Sequence, residues 1–354
     1  KMGRLADAIT IPEMLKNGGY ATAIIGKWHL GMSEGLHPLD QGFDYWYGTP
    51  GSNDWDGPRP NYDSFKEASE EAWKTPLIVN RENKGIVVSQ SLFTKRYTEE
   101  ALRLIRKHSQ KPFFIYLSYN MPHVPIFASS SFKGKSRNGV YGDVVNEIDW
   151  SVGQIVKKLD NENLTRNTIV VFTSDNGPWT MFKEFGGVSG GLRGEKSTTW
   201  EGGERVPCIV SWRGKISPAI SNQLMINYDM YATIANLAGI TISQGNAIDS
   251  IDFSPHWLKG LKGTRTKHLY YFHQPMAYRK ENYKIHYYTR SRTRDPYTGK
   301  REPSVFHEQG LLYDLLNDIG EKKNLSEMYP DRVEIMKKEF LDAQLAIKEW
   351  RPFQ

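Results

Sequence analysis

Short apolar runs alternate with stretches of helical period along most of this chain, and that alternation restricts the fold more than any single motif. Tyr20 to Ile25 (YATAII), Phe113 to Tyr119 (FFIYLSY) and Thr168 to Thr173 (TIVVFT) are short and almost continuously apolar, and Val206 to Trp212 reads as a further strand. Runs of this kind suit strands buried on both faces, as in a parallel sheet. Between them lie helices. Thr10-Ile11-Pro12-Glu13 has capping-box spacing with proline in the first turn, and Gly18-Gly19 supplies the stop. Tyr97, Ala101, Leu104, Ile105 and His108 share one face of a helix that starts near Thr94 and ends before Pro112. Val144, Ile148, Val152, Ile155, Val156 and Leu159 mark the clearest helix, and Asp229 to Leu237 another. Strand, helix and strand in repetition predict an α/β fold with a mostly parallel central sheet and helices on both faces.

After about residue 264 the texture changes. Leu269 to Phe272, Tyr283 to Tyr288 and Leu311 to Leu315 read as strands joined by polar turns, and a helix from Asp331 to Trp350 closes the chain. This predicts a small antiparallel α+β subdomain over 263–354 behind a larger domain over 1–262. Residues 37–63, rich in Gly, Pro, Asn, Asp and aromatics, read as a long structured loop region. The aromatics between Phe43 and Trp73 can stack on sugar rings or simply pack that loop; packing is the simpler expectation.

Composition excludes several classes. Of the 354 residues, 39% are hydrophobic and 24% charged, as in a globular protein rather than a disordered one. No stretch approaches the roughly 18 to 20 apolar residues of a membrane-spanning helix. A single cysteine, Cys208, excludes an internal disulfide framework and any multi-cysteine zinc site, and reads as a buried core thiol. The formal charge of +6 favours anionic partners, but Lys and Arg are scattered, which argues against nucleic acid.

The chemistry should sit where polar residues follow the apolar runs. Lys27 and His29, then His123, then Asp175 and Asn176 each come directly after a predicted strand. Ligands of open parallel sheets bind beyond the carboxyl ends of the strands, so these residues are expected at one sheet edge. A glycine-dense stretch, Gly186 to Gly203, carries Lys196, a cation suited to an anionic oxygen. Asp175 and Asn176 offer oxygen ligands, which select calcium or magnesium over zinc, but calcium takes about six to eight oxygens, so other ligands are needed.

Read together, these motifs resemble the type I sulfatases of the alkaline phosphatase superfamily, and most closely the arylsulfatase A branch. The matching segments are Gly26 to Gly31 (GKWHLG), Asp40 to Asp44 (DQGFD), Asn120 to His123 (NMPH), Thr173 to Pro178 (TSDNGP) and Gly194 to Pro207 (GEKSTTWEGGERVP). The likeness runs from the first residues to about Asn324. It implies a sulfuric ester hydrolase acting on a sulfated small molecule or a sulfated glycan. Asp175 and Asn176 would be two of the calcium ligands, calcium being preferred to magnesium. Lys27 and Lys196 would hold the sulfate oxygens. His123 would also contact the substrate and protonate the leaving alcohol, and His29 would assist the nucleophile and the later release of sulfate. Ser52 sits where that branch has a substrate-contacting serine. The resemblance also implies export to periplasm, lysosome or medium, although Lys1 to Asp7 contain no apolar signal core.

One departure is large. The family carries a C/S-x-P-x-R motif, whose Cys or Ser becomes the formylglycine nucleophile, and a pair of N-terminal Asp metal ligands; neither occurs here. Both lie upstream of the position of Lys1 in the family, so the chain reads as a truncated sulfatase, expected to be inactive alone. A non-catalytic binder of sulfated glycans, or an inert fragment, stays open as an alternative. So does a phosphomonoesterase or phosphodiesterase of the same superfamily, although two-zinc relatives place His where Asn176 stands.

Overall fold

Thr10 caps the first helix, α1 (Ile11–Asn17), reciprocally: its hydroxyl accepts the Glu13 N–H (3.3 Å) and the Glu13 carboxylate accepts the Thr10 N–H (2.8 Å). The computed structural model describes residues 8–55, 57, 62–67, 69–87, 89–242, 249–292, 295, 297, 298, 300 and 302–349. After α1 come β1 (Ala21–Gly26), β2 (Tyr45–Gly48), α2 (Tyr62–Lys66), β3 (Pro76–Val79), β4 (Glu82–Ile86), α3 (Phe93–Lys107), β5 (Phe113–Ser118) and α4 (Gly139–Asn161). The chain continues through β6 (Val170–Thr173), α5 (Glu201–Glu204), β7 (Cys208–Ser211), α6 (Asp229–Leu237) and α7 (Ser254–Lys259). It ends with β8 (Lys267–Phe272), β9 (Gln274–Lys280), β10 (Tyr283–Thr289), β11 (Val305–Asp314) and α8 (Pro330–Glu349). Trp350, the expected last residue of the closing helix, lies outside the described residues.

The chain forms two compact units: Lys1–Val170 with Val210–Ala219 and Ile226–Leu261, and Val171–Ile209 with Ile220–Met225 and Lys262–Gln354. In the first, five strands form a mixed sheet in the order β4-β3-β2-β1-β5. β1 runs parallel to both neighbours, with Ala23 opposite Tyr45 and Ile115, while β3 and β4 are antiparallel. Ile24, Trp28, Phe43, Trp46 and Ile78 form a core cluster here. β2 was not legible: four residues in a Gly- and aromatic-rich stretch are too short to show a period, so 37–63 read as loop throughout. Its aromatics do pack. Phe43, Trp46, Phe65 and Trp73 are all buried.

In the second unit β8 to β11 form an antiparallel sheet in the order β11-β10-β9-β8. Tyr278, Ile285, Tyr287 and Leu312 on one face pack on Val333, Met336 and Phe340 of α8. β9 was missed, because its Pro275, Arg279 and Lys280 hide a strand that tertiary pairing on both sides makes a buried one.

Three expectations need correction. β5 is only partly buried rather than buried on both faces, with Tyr116 half exposed, and among the described residues it pairs with β1 alone. An apolar run reports hydrophobicity and not its neighbours. β6 and β7 pair with each other in a separate two-stranded sheet instead of continuing the five-stranded ladder. Cys208 is consequently exposed rather than in the core, although nearby protein still pushes its thiol up in pKa.

Candidate active site

Three parallel strands end side by side in the first unit. Gly26 at the end of β1 lies opposite Ser118 of β5, and Ile25 lies opposite Tyr47 of β2. The segments leaving those ends carry Lys27 and His29, then Ser52, then His123. The ladder itself extends into them: Lys27 N–H donates to the Ser118 carbonyl (2.9 Å), Trp28 N–H to that of Thr49 (3.0 Å) and His29 N–H to that of Pro50 (2.9 Å). This close approach needs glycine. A Cβ on Gly26, whose φ is +106°, would stand 1.8 Å from the Ser118 carbonyl oxygen.

Side chains fix what the ladder begins. His29 adopts a left-handed φ of +66°, its Nδ1 lies 3.4 Å from Ser52 Oγ, and its ring meets Trp55 edge-on at 5.7 Å. Asn120, fully buried, receives the Tyr97 hydroxyl proton at 2.7 Å and donates to Thr49 Oγ1 at 3.0 Å, tying the end of β5 to the end of β2. Burial pushes the Tyr97 phenol far up, so it stays a donor. Asn53 donates to Gln90 Oε1 (3.0 Å) and the Pro125 carbonyl (2.7 Å), holding the Ser52 loop. His123 Nδ1 lies 2.7 Å from the Val124 carbonyl. A carbonyl only accepts, so Nδ1 carries the hydrogen, and Nε2 is the nitrogen that can exchange a proton with a ligand. Thr49, Asn53, Gln90 and Asn120 were missed as site-builders. Asn120 alone left a trace in the sequence, as the polar residue that closes an apolar run.

The second unit holds the other three candidates. The Asp175-Asn176-Gly177 turn leaves β6, with Ser174 Oγ donating to the Asn176 carbonyl (2.9 Å) and Asn176 Nδ2 to that of Gly177 (2.9 Å). Gly177 N–H donates to the Gly203 carbonyl and Lys196 N–H to the Pro178 carbonyl, each at 2.9 Å. A Cβ on Gly177 would lie 1.9 Å from the Gly202 oxygen. The glycine-dense stretch is thus knitted to the Asp175–Asn176 turn, and Lys196 Nζ rests 4.8 Å over the Trp179 ring. Glu195, buried, accepts from Thr180 Oγ1 and Met181 N–H at 2.8 Å each. Lys27, His29, Ser52 and His123 therefore belong to one unit, and Asp175, Asn176 and Lys196 to the other; the strand ladders do not carry all seven along one edge.

Among the described residues no three His, Cys, Asp or Glu side chains converge as a metal cage. Asp175 and Asn176 fit a hard cation in kind, two adjacent oxygen donors with the Asn176 amide oriented by its bond to Gly177. In number they fill only part of a calcium shell.

Residues 5–240 match the sulfatase family and residues 264–352 the C-terminal region of aryl-sulfatase. The chain is 35% identical to arylsulfatase A of Bos taurus over 96% of its own length and 72% of that protein's. It is 38% identical to N-acetylgalactosamine-6-sulfatase of Mus musculus over 81% of its length and 56% of that protein's. The chain spans 54% to 72% of the length of the curated relatives it matches. Among solved structures, PsFucS1 sulfatase from Pseudoalteromonas sp. superposes with a TM-score of 0.84 at 26% identity, over 98% of this chain and 74% of that one.

Proposed function

This chain belongs to the sulfatase family, and on that footing we propose that it acts in the hydrolysis of a sulfate ester of a carbohydrate. The observation that carries this reading is the convergence of Lys27, His29, Ser52 and His123 at the ends of three adjacent parallel strands. Lys27 and Lys196 bind sulfate oxygens and offset the negative charge that grows on them as the ester bond breaks. His123, with Nδ1 committed to the Val124 carbonyl, gives the proton on Nε2 to the departing sugar oxygen, so that an alcohol leaves instead of an alkoxide. His29, steadied by Ser52 and Trp55, takes the proton that must be removed for water or a hydroxyl to act, and Ser52 orients the ester. Asp175 and Asn176 would hold a calcium ion. Bound there, a divalent cation supplies positive charge to the sulfate oxygens. The formylglycine nucleophile of the family's chemistry has no counterpart in residues 1–354.

The mouse relative's name specifies a sulfated amino sugar, and one solved relative is described in complex with D-glucosamine-2-N,6-O-disulfate. Both support a sulfated glycan as the substrate class. Export to periplasm, lysosome or medium accords with such a substrate; among the described residues no helix is long and apolar enough to cross a membrane.

The test assays the full-length protein from its source on a fluorogenic sulfate ester, on sulfated amino sugars and on the matching phosphate ester. Sulfate release lost in His123→Ala is the expected result. Phosphate release that exceeds sulfate release would move the protein to the phosphatases of the same superfamily. Glycan binding without turnover would make it a binder.

A further inference from the structure

An ionic cluster lies in the second unit, unused by the chemistry above. Lys284 of β10 has no exposed surface, yet it is a cation. Its Nζ lies 2.9 Å from Glu201 Oε1, 3.2 Å from Glu321 Oε1 and 4.1 Å over the Tyr270 ring. Glu321 gathers three donors: Lys284, His286 Nε2 at 2.7 Å, and through Oε2 the Glu201 N–H at 2.6 Å. Its own carbonyl accepts from Arg193 Nη1 at 2.9 Å, and Arg193 stacks 3.7 Å over Trp200. Trp200 in turn lies 4.2 Å from the His286 ring and donates to the Arg290 carbonyl at 3.0 Å. Glu201 completes the set with Arg205 Nε at 2.8 Å. Glu201 thus faces Lys284 and Arg205, and Glu321 faces Lys284 and His286.

The contacts that the C-terminal region makes with this segment fall on Arg193, Trp200 and Glu201, which bracket Lys196, and Arg205 joins through Glu201. Backbone strain falls at both ends of the connection. Glu321, wholly buried, has φ +50°, and Ser197, next to Lys196, has φ +65°, the region that favours glycine. A buried glutamate kept in a backbone state suited to glycine indicates that its carboxylate is what the position requires. A buried ion pair is often no more stabilising than apolar residues of the same volume, so holding one geometry is the better account of this cluster.

We propose that Glu321, with Lys284 and His286, is a positioning device that clamps segment 193–205 to the C-terminal sheet and so sets where Lys196 presents its ammonium. The proposal rests on the sulfate-binding role given to Lys196 above. The C-terminal sheet thereby acts on the reaction through Lys196.

The test compares full-length wild type with Glu321→Gly, which suits the backbone and removes the whole side chain with its carboxylate, and with Glu321→Gln, which removes the charge alone and keeps an oxygen for the Glu201 N–H. Amide hydrogen exchange in peptides covering 193–205 should quicken about tenfold or more in Glu321→Gly and less in Glu321→Gln, with β8 to β10 unchanged within about twofold. On a fluorogenic sulfate ester, kcat/KM should fall about tenfold in Glu321→Gly, and Glu321→Gly with Lys196→Ala should be no worse than Lys196→Ala alone. Unchanged exchange in 193–205, an equal loss of protection across β8 to β10, or additive kinetic losses would each overturn the clamp. If wild type releases no sulfate, the sulfatase reading fails by itself, and the exchange comparison still decides the anchoring.

Discussion

The two units position their polar residues by different physics. In the first, backbone does the work: parallel ladders run past the strand ends into Lys27, Trp28 and His29, and neutral side chains such as Asn120 and Thr49 finish the job. In the second, Lys196 sits in an irregular stretch with few ladder bonds; beyond it Glu201 is held by a buried charge, and before it Arg193 donates to the Glu321 carbonyl. A ladder tolerates most side-chain changes but not a change that forbids the backbone approach. An ionic cluster tolerates backbone change better than the loss of one charge, since the partner is then left buried and unpaired.

That contrast can be broken at its strongest point first. Gly26→Ala should prevent folding of the first unit, or destabilise it by about 4 kcal/mol or more, because the added Cβ meets a backbone oxygen that cannot move without opening β1 from β5. Soluble yield and thermal melting are the measurements, and a soluble variant with the wild-type melting temperature would refute the backbone half of the comparison. Lys284→Met comes next. It leaves Glu321 buried without a cation and Glu201 with Arg205 alone, and should destabilise the second unit by roughly 3–5 kcal/mol, read by denaturant unfolding followed through its tryptophans. Adding Glu201→Gln and Glu321→Gln should recover much of that loss, since neutral amides no longer need the ammonium.

Asn120→Ala should lie lower, at about 1–3 kcal/mol, because it takes the acceptor from the buried Tyr97 hydroxyl without removing a charge. It should also loosen His123 and so lower kcat, which a measurement of stability and turnover on the same sample would show.

Acid tests the buried charges of the second unit. His286 is buried neutral, and desolvation lowers its pKa from 6.5 to about 4, so the unfolded chain binds more protons between those values. Stability from this residue is full above about pH 6.5 and is lost as pH falls toward 4. Glu201, where Lys284 outweighs burial and brings the carboxyl down to about 2, loses its share below about pH 4.5. The second unit should therefore lose stability on acidification, and His286→Gln should flatten the slope between pH 6.5 and 4. An unchanged slope would remove His286 from the account. The smallest effect is expected at the surface pair Arg213–Asp160, 2.9 Å apart with both side chains about 60% exposed. Arg213→Ala should change stability by about 0.5 kcal/mol or less, and it serves as the reference against which the buried charges are judged.

Much of the first unit was legible because its elements satisfy local rules. The capping box at Thr10 and Glu13, the α3 face of Tyr97, Ala101, Leu104 and Ile105, and the span Asp229–Leu237 all appear as their periods require. Even so, Val156 on the predicted apolar face of α4 is largely exposed. Periodicity defines a face and does not say what covers it. Lys27, His29 and His123 could be found as polar residues after apolar runs. Ser52 was named only through the family resemblance, because β2, which delivers it, is too short to carry a pattern. The clamp on segment 193–205 was invisible for a stronger reason: Lys284 and Glu321 stand among many surface-like charges in the sequence.

The sequence by itself determined that strands and helices would alternate, where the strands would end and which polar residues would follow them, since those features depend on neighbours within a few positions. Only the tertiary structure decided that β5 is only partly buried, that β6 leaves the main sheet for a pairing with β7, and that Lys284, Glu201 and Glu321 are buried against one another. Pairing and burial depend on residues far apart in the chain, and a charged residue carries no local mark of whether an opposite charge will meet it inside.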